Sequence, residues 1–363
     1  MVNITNVNLL GLATSLQYGM QLASLPASTN YSVGFISYSE TFVNDILGPN
    51  VSSQLIANET WEAFHEGGVY SLATKSLYAS SNRAINVTSN PINVTILDLA
   101  TNVVSSVRYP NLVNPNGLVA YYPPGTPANS SANQQIVFCD QGNLTSPSQL
   151  TLLDPATNTT TVLLNNFLGR NFSTLNDIKQ HPYTHDVWFT DSWYGFWQYF
   201  RPAPVMPQQV YRYSPSTGVV QAVADGFVAL NGFEFSPDFK TVYVTDTGAQ
   251  VYHYNYTRPA TIYAYDLMKN KLLGNRRVFA YSDNGIPDGI HTDTKGNVYA
   301  GCGDGVHVWN NDGVLLGKFV VSGGINNFAF VPGGMILFNG KKAYKVSGLQ
   351  VEGREVRRDF GLP

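Results

Sequence analysis

Residues 231–248 read NGFEFSPDFKTVYVTDTG. An Asn-Gly pair opens the stretch, a short apolar run follows, Ser-Pro-Asp interrupts it, and a second alternating run ends on Thr-Asp-Thr-Gly. Period-two alternation broken by turn residues predicts strand, turn, strand.

The same unit recurs along the chain. Glu66 opens EGGVYSLATKSLYASSN, Asn116 opens NGLVAYYP with QIVFCDQG after it, and Asn176 opens NDIKQHPYTHDVWFTDSWYG. Asp288 opens DGIHTDTKGNVYAGCGDG, and Asn326 opens NNFAFVPGGMILFNG. Between these pairs lie further strand–turn–strand runs: QLTLLDPATNTTTVLL, QVYRYSPSTGVVQAV and TIYAYDLMKNKLLGNRRVFAY. Four strands per unit, repeated at intervals of about 40 to 60 residues, predict an all-β fold, a six-bladed β-propeller. The last unit runs out after KKAYKV, while SSQLIA at residues 52–57 has no blade of its own. We therefore expect this N-terminal strand to complete the sixth blade and close the ring, leaving no large open sheet edge. Residues 1–30 fall outside the repeat, and residues 31–363 form the propeller on this reading.

Each opening residue starts an innermost strand, so six of them face one mouth of the central channel: Glu66, Asn116, Asn176, Asn231, Asp288 and Asn326. All offer oxygen and two are carboxylates, a donor set that favours calcium over magnesium, manganese or zinc. Asn-Gly and Asp-Gly are also turn dipeptides, and a repeat keeps its turns for structural reasons. That alternative accounts less well for Glu66 and for Asn176, which Asp follows.

Three segments together resemble the SMP-30/gluconolactonase/LRE-like family, most closely its fungal secreted lactonohydrolases: LNDIKQHPYTHDVWFTDSWYG, LNGFEFSPDFKTVYVTDTG and IPDGIHTDTKGNVYAGCGDGVHVWN. The resemblance runs from about residue 36 to the C-terminus, although HEGGVYSLATKS departs from the commoner first-blade pattern. It implies that Glu66, Asn176, Asn231 and Asp288 hold Ca2+, and that the substrate is a small-molecule lactone of aldonate, gluconolactone or pantoyl lactone type. The cation would polarise the lactone carbonyl, with Asp288 as general base or nucleophile. His65, beside Glu66, is a further candidate for contacting substrate or moving a proton. Loops after the second strands return to the same mouth, which adds Gln141, Trp193 and Tyr194 to Asn116 and Asn326 as candidate substrate contacts. The third-blade loop, SWYGFWQYFRPAPVMPQQ at 192–209, reads either as a pocket wall or as an aromatic patch packed on the propeller. A phosphotriesterase- or arylesterase-like hydrolase on the same site, and a non-enzymatic ligand-binding propeller, are the competing readings.

Composition narrows the partners. Net charge is −3 with 12% charged residues, which leaves no basic patch for nucleic acid. No apolar run is long enough to span a bilayer. Residues 8–16 faintly resemble the apolar part of a signal peptide, but no Lys or Arg precedes Lys75. Eleven Asn-X-Ser/Thr sites begin at Asn3, Asn30, Asn50, Asn58, Asn86, Asn93, Asn129, Asn143, Asn158, Asn171 and Asn255. Composition alone would give about 5, so we expect a secreted protein carrying N-linked glycans. Cys139 and Cys302 fall in the second and fifth blades, on opposite sides of the ring, and are expected to be free thiols.

Overall fold

A computed structural model describes residues 2–23, 32–82, 92–128 and 130–359. The sequons at Asn30, Asn86 and Asn129 lie outside the described residues. Six sheets stand around a common axis. Blades 1 to 4 span residues 66–107, 115–164, 174–224 and 230–281, each a four-stranded antiparallel meander in chain order. Blade 6 takes three strands from residues 327–347. Its fourth is Ser52–Asn58, paired antiparallel with Lys342–Ser347, so an N-terminal strand closes the ring as expected.

Blade 5 carries four strands of its own from residues 290–320 and gains two more. Gly34–Ser37 pairs antiparallel with Leu315–Val320, and Ile4–Asn6 lies parallel outside it. Two short helices, Leu9–Thr14 and Leu16–Ala23, follow this edge strand, and Leu10 and Leu16 on them stand exposed.

The apolar core is divided into layers. Six buried clusters lie among the described residues, one between each pair of neighbouring blades. Between blades 3 and 4, for example, Trp188 and Val210 meet Phe233, Phe235, Val242 and Val244, all 1% exposed or less. Each such side chain contributes on the order of 1.5–3 kcal/mol by leaving water. Blade faces are therefore apolar on both sides, and the polar residues are left for the axis and the rims. Cys139 and Cys302 are free and buried, in blades 2 and 5.

The closing strand tests this architecture. Ala57 pairs with Ala343 and is buried in the layer between blades 6 and 1. Ala57→Asp places an unpaired carboxylate there and is expected to cost about 2–4 kcal/mol in urea unfolding. A loss under about 0.5 kcal/mol would mean that the strand does not belong to that layer.

Candidate active site

The innermost strands of blades 1 to 4 share one irregularity. Their pairing with the second strand skips two residues, between Glu66 and Val69, Pro115 and Leu118, Leu175 and Ile178, and Leu230 and Phe233. The skipped or flanking positions hold Glu66, Asn116, Asn176 and Asn231. A β-bulge re-aims side chains and interrupts pairing, and here it recurs at the channel mouth. Gly117 and Gly232 follow two of these residues without a left-handed φ, so they are not turn glycines. A Cβ would lie 2.4 Å from the Asn176 carbonyl at Gly117 and 2.7 Å from the Asp288 carbonyl at Gly232. The Asn-Gly dipeptides thus mark the close approach of the next blade.

Two sets of polar side chains fix these strand starts. Asp140 and Asp246 end the second strands of blades 2 and 4, and Asp191 is the last residue but one of the second strand of blade 3. Their carboxylates accept from the backbone entering the innermost strand: Val113 and Asn114 (2.9 and 2.8 Å), Ser173 and Thr174 (3.0 and 2.7 Å), Val228 and Ala229 (3.0 and 2.8 Å). The second set links one blade to the next. Thr190 accepts from the Asp177 amide (2.9 Å) and donates to the Asn231 carbonyl (2.7 Å). Thr245 accepts from the Gly232 amide (2.6 Å) and donates to the Asp288 carbonyl (3.0 Å). Ser80 donates to the Asn116 carbonyl at 2.6 Å. None of these residues is marked in the sequence as more than a polar strand end.

Contacts join the ring. Asn231 hydrogen-bonds to Asp288, and the Asn326 amide donates to Asp288 Oδ2 at 3.3 Å. Asn116 donates to the Asn176 carbonyl at 3.1 Å. Burial raises the Asp288 carboxyl to about 6, and the nearby Asp177 charge adds to the rise. Burial and then the Asp288 charge push Glu66 well above the usual carboxylate range. The Asn327 amide donates to Glu66 at 3.0 Å and offsets part of this. Asn176 Oδ1 and Asp288 Oδ1 are buried with no hydrogen-bond partner. Orphaned oxygens beside mutually repelling acids are the donors a hard cation requires, so Glu66, Asn176, Asn231 and Asp288 fit calcium chemically.

The remaining candidates divide. His65 Nε2 lies 3.9 Å from Glu66 Oε1, and burial lowers its pKa to about 4, so the imidazole is neutral at pH 7. Tyr194 reaches the ring, accepting from the Asn231 amide at 3.2 Å and bonding Thr247. Trp193 instead donates its indole N–H to the Met206 carbonyl at 3.0 Å, within its own loop. Gln141 is buried and donates its backbone N–H to the Asn114 carbonyl at 2.8 Å. Asp177 and Asn327 were missed by motif reading, although each occupies the position that Gly fills in other blades.

Three residues below the ring, the channel carries a second polar layer. Glu234, His291 and Glu355 bring ligand atoms within 4.8 Å of one another, a grouping that is able to hold a metal. Three cations already occupy it, one of them Arg358, 3.6 Å from Glu355. Lys179 Nζ lies 3.7 Å from Glu234 and 3.4 Å from Glu355, and Arg354 lies 2.7 and 3.3 Å from the same two acids. His291 is held near 3, chiefly by burial and then by Lys179. Acids already faced by Lys179, Arg354 and Arg358, beside a neutral imidazole, leave little net negative charge for an ion, although Glu234 Oε2 itself has no hydrogen-bond partner. Arg354 and Glu355 come from the C-terminal helix Arg354–Asp359, which seals this end. Sequence reading missed the layer because half of it arrives from that helix.

Comparison with known proteins agrees with the fold. Residues 90–335 match the family described as SMP-30/Gluconolactonase/LRE-like region. A lactonohydrolase, oryL, of Aspergillus oryzae is 38% identical over 198 residues, 49% of this chain and 44% of that protein. The chain thus matches less than half of that relative's length. A gluconolactonase from Xanthomonas campestris superposes with TM-score 0.69 at 22% identity, covering 90% of this chain and 99% of that one. The calcium-binding protein regucalcin from Agrobacterium tumefaciens gives TM-score 0.56 at 18% identity, covering 82% and 95%.

The inter-blade hydroxyls supply a test. Thr245→Val strands the Gly232 amide and frees the Asp288 carbonyl. We expect a loss of about 1–3 kcal/mol in urea unfolding of metal-free protein, with Thr245→Ser restoring most of it. A full loss in Thr245→Ser with none in Thr245→Val would show that packing of the methyl group matters and the hydroxyl does not.

Proposed function

The chain belongs to the SMP-30/Gluconolactonase/LRE-like family, and we propose that it is a calcium-dependent hydrolase that opens a lactone to its hydroxy acid. The carrying observation is the pair of orphaned buried oxygens, Asn176 Oδ1 and Asp288 Oδ1, in a ring with Glu66 and Asn231. Likeness to a lactonohydrolase and a gluconolactonase supports the substrate class, and likeness to calcium-binding regucalcin supports the ion.

Glu66, Asn176, Asn231 and Asp288 would hold the cation. When bound, it supplies Lewis-acid polarisation of the lactone carbonyl and stabilises the charge that develops on its oxygen. Asp288 accepts a proton from the attacking water. The new C–O bond forms at the carbonyl carbon, the ring C–O bond breaks, and the proton passes to the departing alkoxide. The Asn326 and Asn231 amides hold the Asp288 carboxylate toward the mouth. His65, neutral and 3.9 Å from Glu66, is the alternative proton acceptor. Tyr194, tied to Asn231, borders the substrate, and Asn116, Asn326, Gln141 and Trp193 complete the proposed substrate surroundings. We further propose a secreted glycoprotein, which a mass decrease on enzymatic deglycosylation of protein from a eukaryotic host would support.

Exhaustive chelation is expected to abolish hydrolysis and calcium to restore it. Asp288→Asn keeps an oxygen ligand but removes the base, and should lower kcat by about 10²-fold or more even at saturating calcium. Glu66→Gln should act through metal affinity and recover in part with excess calcium. Recovery of Asp288→Asn to wild-type turnover would shift the base to another residue, with His65 first.

A further inference from the structure

We propose that the third-blade loop and the fourth-blade loop facing it form a rigid apolar subsite for the substrate, selecting lactones whose ring carries an alkyl or aryl substituent. The proposal rests on the hydrolase reading above and names its substrate class.

The loop at 192–209 is built to stay in place. Arg201, 5% exposed, spends its guanidinium on four backbone carbonyls. Its Nε reaches Ser173 (2.8 Å), Nη1 reaches Asn143 and Ser146 (both 2.6 Å), and Nη2 reaches Phe172 (3.0 Å). The helical turn Tyr194–Trp197 rests on this side chain, where a Cβ at Gly195 would stand 2.1 Å from Arg201 Cγ. At the far end Gln208 bonds the Val228 carbonyl (2.7 Å) and the Leu230 amide (3.0 Å), the backbone leading into Asn231. The loop is therefore fixed to the entrances of two innermost strands, and its rings are preorganised.

Those rings run outward from the site. Tyr194 bonds Asn231, Tyr194 meets Trp197 edge-on at 5.5 Å, and Trp197 meets Tyr252 at 6.4 Å. Tyr252 is 63% exposed and lies on the loop after the second strand of blade 4. Arg201 is the only charged residue in 192–209, and it is consumed by the clamp. The facing loop carries one charge, Arg258, whose guanidinium donates to the Val251 carbonyl at 3.5 Å. A fixed aromatic wall continuous with a proposed ligand recovers binding energy chiefly from carbon. A bare lactone ring seated over Asn231 leaves the wall wet, whereas a substituent of several carbons covers it.

The test compares δ-decalactone, which carries a pentyl tail, with unsubstituted δ-valerolactone and D-glucono-δ-lactone on the calcium-loaded protein. The wild type is expected to favour δ-decalactone over both in kcat/KM, by about tenfold or more over δ-valerolactone and mainly through KM. Trp197→Ala should lower kcat/KM for δ-decalactone about tenfold more than for δ-valerolactone, with Trp197→Phe between. Binding is read separately, as saturable quenching of tryptophan fluorescence by 5-hydroxydecanoate that Trp197→Ala removes. Turnover with no tail preference, or preference for the sugar lactone, overturns the subsite and leaves the hydrolase reading standing. No turnover of any lactone, with saturable quenching intact, overturns the hydrolase reading and keeps the subsite. Absence of saturable quenching overturns the subsite whatever the turnover.

Discussion

Glu66 and Asp288 are carboxylates held near each other out of water, with a third acid, Asp177, close to both. Burying one charge is costly, and burying like charges together is worse unless an opposite charge joins them. Lys179 eases Asp177, but its ammonium lies in the layer below, bonded to Glu234 and Glu355. The mouth thus concentrates acids that no cation among the described residues faces, and burial and mutual repulsion favour their protonated forms until one binds. Folding around such a group is favourable when a cation is bound there, and the remaining features of the site follow from keeping the acids aligned until it is.

The alignment is achieved by backbone. Bulges turn Asn116, Asn176 and Asn231 out of the regular ladder and follow directly after Glu66, and the carboxylates of Asp140, Asp191 and Asp246 hold the chain leading into the three Asn residues. Thr190 and Thr245 then connect successive blades, so that movement of one ring residue pulls on the next. Hydrophobic layers between blades give the stability, and this polar stitching gives the geometry. Below, Glu234 and Glu355 are faced by Lys179, Arg354 and Arg358. The two polar layers differ in charge: the lower one sets these three cations against its acids, and the mouth holds its acids with no cation beside them among the described residues.

The repeat made the blades legible, because period-two alternation and turn residues are local properties of the chain. Closure by Ser52–Asn58 was legible for a related reason, since a blade short of a strand and a strand without a blade define each other. The addition of Ile4–Asn6 to blade 5 was not, because three residues carry too little pattern to assign a partner. At the mouth, residue types pointed to oxygen ligands. The roles of Asp177 and Asn327 depended on a bulge that shifts which side chains face the axis, and no sequence period records that shift. Asp191 and Thr190 looked like ordinary strand ends until the loop amides and the neighbouring carbonyl were placed beside them. Arg354 and Glu355 reach Glu234 across more than a hundred residues, a pairing set by tertiary docking alone.

Two oxygen-bearing layers compete for a cation. Crystals of the metal-free protein soaked in calcium, with the ion located by anomalous scattering, decide between them. The account predicts one ion at the mouth, within about 2.3–2.6 Å of oxygens of Glu66, Asn176, Asn231 and Asp288. An ion bound instead among Glu234, His291 and Glu355, or no ordered ion at saturating calcium, would contradict it.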